Sequence, residues 1–105
     1  MDRLAVLRDF VARSPDDPFP RYGLAMELAA RGQLEEARQA FQELVDRAPG
    51  YVPAYLMYGN LLARMGDKAR AREIYRAGAE VSARAGDSKA ESENLAALAE
   101  LEGAE

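Results

Sequence analysis

Few residues in this chain carry the usual tools of catalysis. Histidine and cysteine are both absent. That removes the commonest general base and metal ligand, together with every thiolate site and disulfide. Carboxylates, tyrosines, amides and guanidinium groups remain. Asp16 and Asp17 are adjacent, between Pro15 and Pro18. Two hard oxygen ligands could begin a divalent-cation site, but adjacent acids in a proline-flanked linker are the ordinary mark of a helix cap. Arg70, Arg72 and Arg76 form a basic run that reads as a solvated face or as a partner for the acidic end of the chain. No glycine-rich phosphate loop and no nucleophile motif occurs. The sequence therefore offers no metal or cofactor site, and it weighs against an enzyme.

The balance of charge narrows the partners. The chain has 105 residues, one domain's worth, with 49% hydrophobic and 30% charged residues, which suits a folded chain. Net charge is −4, which argues against nucleic acid as the main ligand. It is unevenly spread: residues 64–85 sum to +3 and residues 86–105 to −5. Arginine outnumbers lysine twelve to two and alanine is abundant, a composition expected of a GC-rich bacterial genome. The N-terminal Met-Asp-Arg-Leu lacks the apolar run and cleavage site of a signal peptide. No stretch approaches 18 apolar residues. The expectation is a cytoplasmic protein without a membrane partner.

Helical spacing runs through the chain. Leu4, Leu7 and Val11, with Phe10 beside them, predict a helix over 2–13, ended by Ser14-Pro15-Asp16-Asp17-Pro18. A second helix is expected over 19–31, with Pro20 in its first turn and Gly32 as its left-handed stop. The third spans 34–47 on Leu34, Ala37, Phe41, Leu44 and Val45, and Pro49-Gly50 closes it. The fourth covers 53–65 and ends at Gly66-Asp67. The fifth covers 68–85, longer because no proline stands where Pro49 stood. Ser88 and Glu91 have capping-box spacing for a sixth helix over 88–102, with Leu95, Leu98 and Leu101 on its apolar side. Sustained alternation is missing, so no strand is expected.

The strongest signal is an internal repeat of 34 residues. Arg21 to Gly32 aligns on Tyr55 to Gly66: Leu24 falls on Tyr58, Ala25 on Gly59, Leu28 on Leu62, Ala29 on Ala63 and Gly32 on Gly66. Ala37 and Phe41 then fall on Ala71 and Tyr75. Small residues at Ala25 and Gly59 should face Ala37 and Ala71, so that two helices touch closely, and the rings of Phe41 and Tyr75 should fill the space beyond. This pattern resembles the tetratricopeptide repeat over residues 18–85. Arg21 departs from it where an aromatic is usual, and Gly78 and Ala83 match it weakly. The resemblance implies an all-α fold of about six helices, with antiparallel helix-turn-helix repeats stacked as a short right-handed α-solenoid. One domain, 1–105, would comprise a half-repeat helix (2–13), repeat 1 (18–51), repeat 2 (52–85) and a capping helix (88–102). Ser92 and Glu93 stand where a third repeat would need Leu-Gly, hence the cap.

The resemblance also implies a function. In that family the first helix of each hairpin lines a concave groove. Transferred to matching positions, the groove would present Tyr22, Met26 and Ala29, then Leu56, Asn60 and Arg64, with Asn94 continuing the row if the last helix keeps the register. Asn60 can both donate to and accept from a peptide backbone, and Tyr22, Met26 and Leu56 suit an apolar peptide or helix. Tyr22 and Met26 stand where a carboxylate clamp would need Lys and Asn, so no such clamp is expected. The implied function is a non-catalytic scaffold for a protein or peptide ligand. The alternative is self-association into a homo-oligomer through terminal helices, should the outer side of the first helix stay apolar at Leu4, Leu7 and Val11.

Overall fold

Three glycines at positive φ set the turns. Gly32, Gly66 and Gly86 have φ of 78°, 85° and 73°, a conformation that is cheap only without a Cβ. Each sits in the same double hydrogen bond. Gln33 N donates to Leu28 O, Asp67 N to Leu62 O and Asp87 N to Ser82 O, while each glycine N donates to the carbonyl three residues back. That is a Schellman stop at three helix ends, and it returns the chain sharply. The computed structural model, which describes residues 2–103, has helices α1 (Arg3–Arg13), α2 (Pro18–Ala30), α3 (Leu34–Arg47), α4 (Pro53–Arg64), α5 (Lys68–Arg84) and α6 (Ser88–Gly103), and these stops lie between α2 and α3, α4 and α5, and α5 and α6. The described residues contain no strand.

Carboxylates cap the starts of α1, α2, α5 and α6. Asp17 accepts from Phe19 N at 3.1 Å and caps α2, while Asp16 pairs with Arg47 at 3.6 Å. The adjacent acids are thus a cap and a surface ion pair. Asp67 accepts from Arg70 N at 3.1 Å. The cap of α6 is Asp87, which accepts from Ala90 N at 3.0 Å, and not the expected Ser88, which is the first helical residue.

Two compact units result, one ending at Ala48 and the other beginning at Pro49. In the first, α2 packs on both α1 and α3. Its core is Leu4, Ala25, Leu28, Ala37, Phe41, Leu44 and Val45. Leu7 reaches to Gly23, where an added Cβ would meet Leu7 Cδ2 at 3.1 Å. The apolar stripe of α1 is therefore spent on α2: Leu4 is buried and Leu7 and Val11 are half-buried, contrary to the open outer side expected of them. Charge ties the same pair of helices. Arg31 Nη2 donates to Asp2 at 2.6 Å and Arg31 Nε to Glu27 at 2.8 Å, and Arg3 Nε donates to Glu27 at 3.0 Å. Bonding to Arg31 holds the Asp2 and Glu27 carboxyls below their ordinary range.

In the second unit α4, α5 and α6 all pack on one another. The core holds Ala54, Tyr55, Tyr58, Leu61, Leu62, Ala71, Ile74, Tyr75, Ala79 and Leu101, with the polar Ser82 and Asn94 buried among them. Ser82 Oγ donates to Gly78 O at 2.7 Å, which satisfies it within its own helix. The departure at Arg21 also finds its reason when the two units are compared. Tyr55 OH donates to Pro49 O. Arg21 Nε donates to Pro15 O at 2.8 Å. Both donor and acceptor are displaced by 34 residues, so the guanidinium serves the same backbone carbonyl that the phenol serves in the second unit.

Candidate functional site

Glycine, amide and phenol form one group on the second unit. Gly59 is buried on α4, and the Tyr75 ring of α5 lies directly over it: a Cβ there would come within 2.3 Å of Cε1 and 2.5 Å of Cδ1. The nearest neighbour of Gly59 across the two helices is thus a ring. That approach carries the Tyr75 hydroxyl to Asn60, one residue along α4, where it donates to Oδ1 at 2.7 Å. Asn60 is itself exposed. Its orientation is fixed by a buried neighbour, and its Nδ2 makes no hydrogen bond to a described residue.

Beside this pair lies a cavity of about 300 Å³, lined by Asn60, Ala63, Tyr75, Ala97, Glu100 and Leu101. Three alkyl groups form its walls and three polar groups converge on it. Burial first, and the Glu100 charge second, push the Tyr75 hydroxyl above its ordinary pKa of 10.0, so it stays protonated and bonded at neutral pH. The tyrosine was legible in the sequence only as an inward ring. The distinguishing signal was its hydroxyl: a buried tyrosine finds a polar partner, whereas the corresponding Phe41 needs none.

The other expected groove residues fall on their separate units. Leu56, Asn60 and Arg64 follow one another at successive turns of α4, with Leu56 half-buried and Asn60 and Arg64 exposed. On α2, Tyr22 is half-buried and Met26 is 36% exposed. Asn94 does not continue the row. It is 1% exposed, its Nδ2 donates to Ala90 O at 2.9 Å, and its Oδ1 lies over Gly78 without a hydrogen-bond partner among the described residues. The cause is a change of register. The inward residues of α4, moved forward by 34, give 88, 89, 92, 93, 95 and 96, all exposed. Helix α6 instead turns Ala90, Asn94, Ala97, Leu98 and Leu101 inward. Two residues of offset rotate a helix by about 200°. Leu95, expected on the apolar side, is consequently 48% exposed.

Other chemistry is sparse. Among the described residues no three acidic, His or Cys side chains gather into a metal-binding group. No helix there is long and apolar enough to cross a membrane.

Comparison with known proteins agrees with this architecture. The tetratricopeptide repeat family model matches residues 28–98. A TPR repeat-containing protein of Pseudomonas aeruginosa is 30% identical over 96 residues, which are 91% of each chain. The solution structure of a tetratricopeptide repeat domain protein from Salinibacter ruber is 37% identical with a TM-score of 0.83, covering 88% of this chain and 93% of that one. The TPR2B domain of yeast Sti1, solved as a complex with pHsp70, shares the fold at a TM-score of 0.89 and 18% identity, over 97% of this chain and 82% of its own. This fold generally mediates protein–protein interaction. With the 34-residue period, the three glycine stops and these likenesses together, the chain belongs to the tetratricopeptide repeat family.

Proposed function

We propose that this protein is a non-catalytic, cytoplasmic interaction module that holds a peptide or helix of a partner protein, with α4 of the second unit as its principal contact face. The observation that carries this reading is Asn60. It is an exposed amide, held in one orientation by Tyr75 at 2.7 Å, beside a cavity large enough for a side chain. An amide fixed before binding loses little freedom on binding and can meet a peptide group with both its donor and its acceptor. Leu56 and Arg64, a turn away on either side, supply an apolar contact and a charge. Tyr22 and Met26 on α2 offer a further apolar surface on the first unit. The binding of pHsp70 by the Sti1 domain supports the class of partner, and the lack of histidine and cysteine supports the non-catalytic role.

The test is selection of a displayed random-peptide library on the full chain. Titration calorimetry of a selected peptide against Asn60→Ala and Tyr22→Ala follows. Weaker binding to Asn60→Ala supports the reading, and unchanged binding to both variants refutes the assignment of these faces.

A second reading is self-association. Phe10 and Phe19 are 52% and 71% exposed on the first unit, and each is a large apolar side chain left in water. Light scattering across a concentration series tests it. A constant monomer mass removes this role.

A further inference from the structure

Resting on that reading of the α4 face, we propose that the cavity at Asn60, Tyr75 and Glu100 is an anchor site for a basic side chain, lysine or arginine, of the bound peptide. The donor and acceptor inventory carries the argument. Tyr75 spends its single proton on Asn60 Oδ1, which leaves the phenol oxygen facing the cavity as an acceptor only. Glu100 adds a carboxylate, another acceptor, with a full negative charge. Glu100 makes no salt bridge with a described residue, whereas Glu102, two positions on, pairs with Arg76 at 3.6 Å. Asn60 Nδ2 is the remaining donor at the mouth. Two acceptors, one of them anionic, call for a ligand cation rich in N–H groups, and the one donor at the rim suits a backbone carbonyl of the same peptide.

The walls fit the rest of such a side chain. Ala63, Ala97 and Leu101 are apolar, and lysine and arginine bury their methylene stems on apolar surface while the charged head reaches polar groups. A volume of about 300 Å³ admits either one. An acidic side chain would be repelled by Glu100, and a purely aliphatic one would cover the carboxylate and phenol while donating nothing in exchange for water. The rotated register of α6 makes this possible. It turns Ala97 and Leu101 toward the cavity and puts Glu100 at its rim, where a third regular repeat would have presented other positions.

The experiment uses the full chain and a displayed random dodecapeptide library, selected in parallel on the wild-type protein, on Glu100→Gln and on Glu100→Lys. Glu100 is exposed, so both variants should keep the wild-type circular dichroism and melting temperature. Peptides from the wild-type selection should be enriched in Lys or Arg at one position. Replacing that residue by citrulline or norleucine should weaken binding about tenfold, and Glu100→Gln should weaken the parent peptide by a similar factor. Glu100→Lys should select peptides without the basic residue. Carbon-labelled Ala63, Ala97 and Leu101 methyls should shift on titration with the selected peptide. If selected peptides shift these methyls and lose affinity with Asn60→Ala, yet show no basic preference and bind Glu100→Gln equally, the basic anchor is wrong and the α4 interaction face stands. If the selected peptides leave these methyls unmoved, the anchor is wrong; if they also bind Asn60→Ala as tightly as the wild type, or no peptide is selected, both are wrong.

Discussion

Replacing Gly59 by alanine should destabilise the protein, although the same change normally favours a helix. Alanine gains about 1 kcal/mol of helix propensity over glycine. Here the new methyl would stand 2.3, 2.5 and 2.9 Å from three carbons of the Tyr75 ring, against an ordinary contact of roughly 3.5–4.0 Å. The ring must retreat by about 1.2 Å to restore that contact, yet it is only 3% exposed and is held among the core side chains of its unit. Overpacking of this kind costs about 1–3 kcal/mol. A retreat of that size also breaks the 2.7 Å bond from Tyr75 to Asn60, worth about 1 kcal/mol. Net of propensity, Gly59→Ala should lose about 1–3 kcal/mol, and its melting temperature should fall by roughly 5–20 °C for a domain of this size.

The assay is thermal and urea unfolding by circular dichroism, with the Asn60 side-chain amide followed by NMR. Gly50→Ala is the control, since nothing lies within 4 Å of its Cβ position and its backbone is not left-handed. It should stay within about 0.5 kcal/mol of the wild type. In a Tyr75→Leu background the cost of Gly59→Ala should shrink by more than about 1 kcal/mol, because the clashing atoms are gone. The first repeat supplies the cure. Its corresponding residues are Ala25, Met26 and Phe41, so the triple change Gly59→Ala, Asn60→Met, Tyr75→Phe should recover part of the loss. A neutral or stabilising Gly59→Ala, or an equal cost with and without the tyrosine ring, would refute the reasoning.

Gly78→Ala should also destabilise, by about 1–3 kcal/mol, because its methyl would meet Asn94 Oδ1 at 2.4 Å and Tyr55 Cβ at 2.6 Å. Hydrogen exchange should quicken in α6 more than in α2. Arg21→Ala should cost about 0.5–1.5 kcal/mol through the lost bond to the Pro15 carbonyl, whereas Arg21→Tyr should keep most of that stability, as read by urea unfolding. Acid should loosen α1 first. Asp2 and Glu27 have carboxyls held below 3.8 and 4.5 by Arg31, so the unfolded chain binds protons more readily there. Their contribution is complete above those ordinary values and is lost as pH falls through the lower folded-state values. Amide exchange in α1 should rise relative to α5 as the pH drops below about 4, and high salt at neutral pH should reproduce part of the effect. A uniform loss across all helices would contradict this.

The fold was legible because its signals are local and repeated. Apolar residues at helical spacing, a proline in the first turn of α2 and α4, and glycine stops at 32, 66 and 86 each act within a few residues. The helix bounds follow from them to within a residue or two. The 34-residue shift fails at Asn94 because it assumes that each helix meets its neighbours with the same face. In α6 the positions that a third regular repeat would bury are largely polar, Ser92 and Glu93 among them, so the face it buries is the stripe that remains apolar. In α6 that stripe is Ala90, Ala97, Leu98 and Leu101, with Asn94 carried inside it. The stripe was present in the sequence at i, i+7, i+8 and i+11, but Leu95, Leu98 and Leu101 gave a competing line.

Comparison of the two repeats shows how architecture and the candidate site are joined. At three corresponding positions the first unit has Ala25, Met26 and Phe41 and the second has Gly59, Asn60 and Tyr75. These are not three independent drifts. A phenylalanine ring has no hydroxyl to satisfy and can sit over an alanine. Both Ala25 and Phe41 are fully buried. The tyrosine ring reaches an amide on the neighbouring helix with its edge in the space that a Cβ at 59 would take. Glycine at 59 is therefore the condition for the hydrogen bond at Asn60, and the hydrogen bond is what holds the amide still at the mouth of the cavity. A residue that looks purely structural in the repeat pattern thereby sets the geometry of the binding face, and changes at Gly59 should alter ligand affinity through Asn60 even in variants that remain folded.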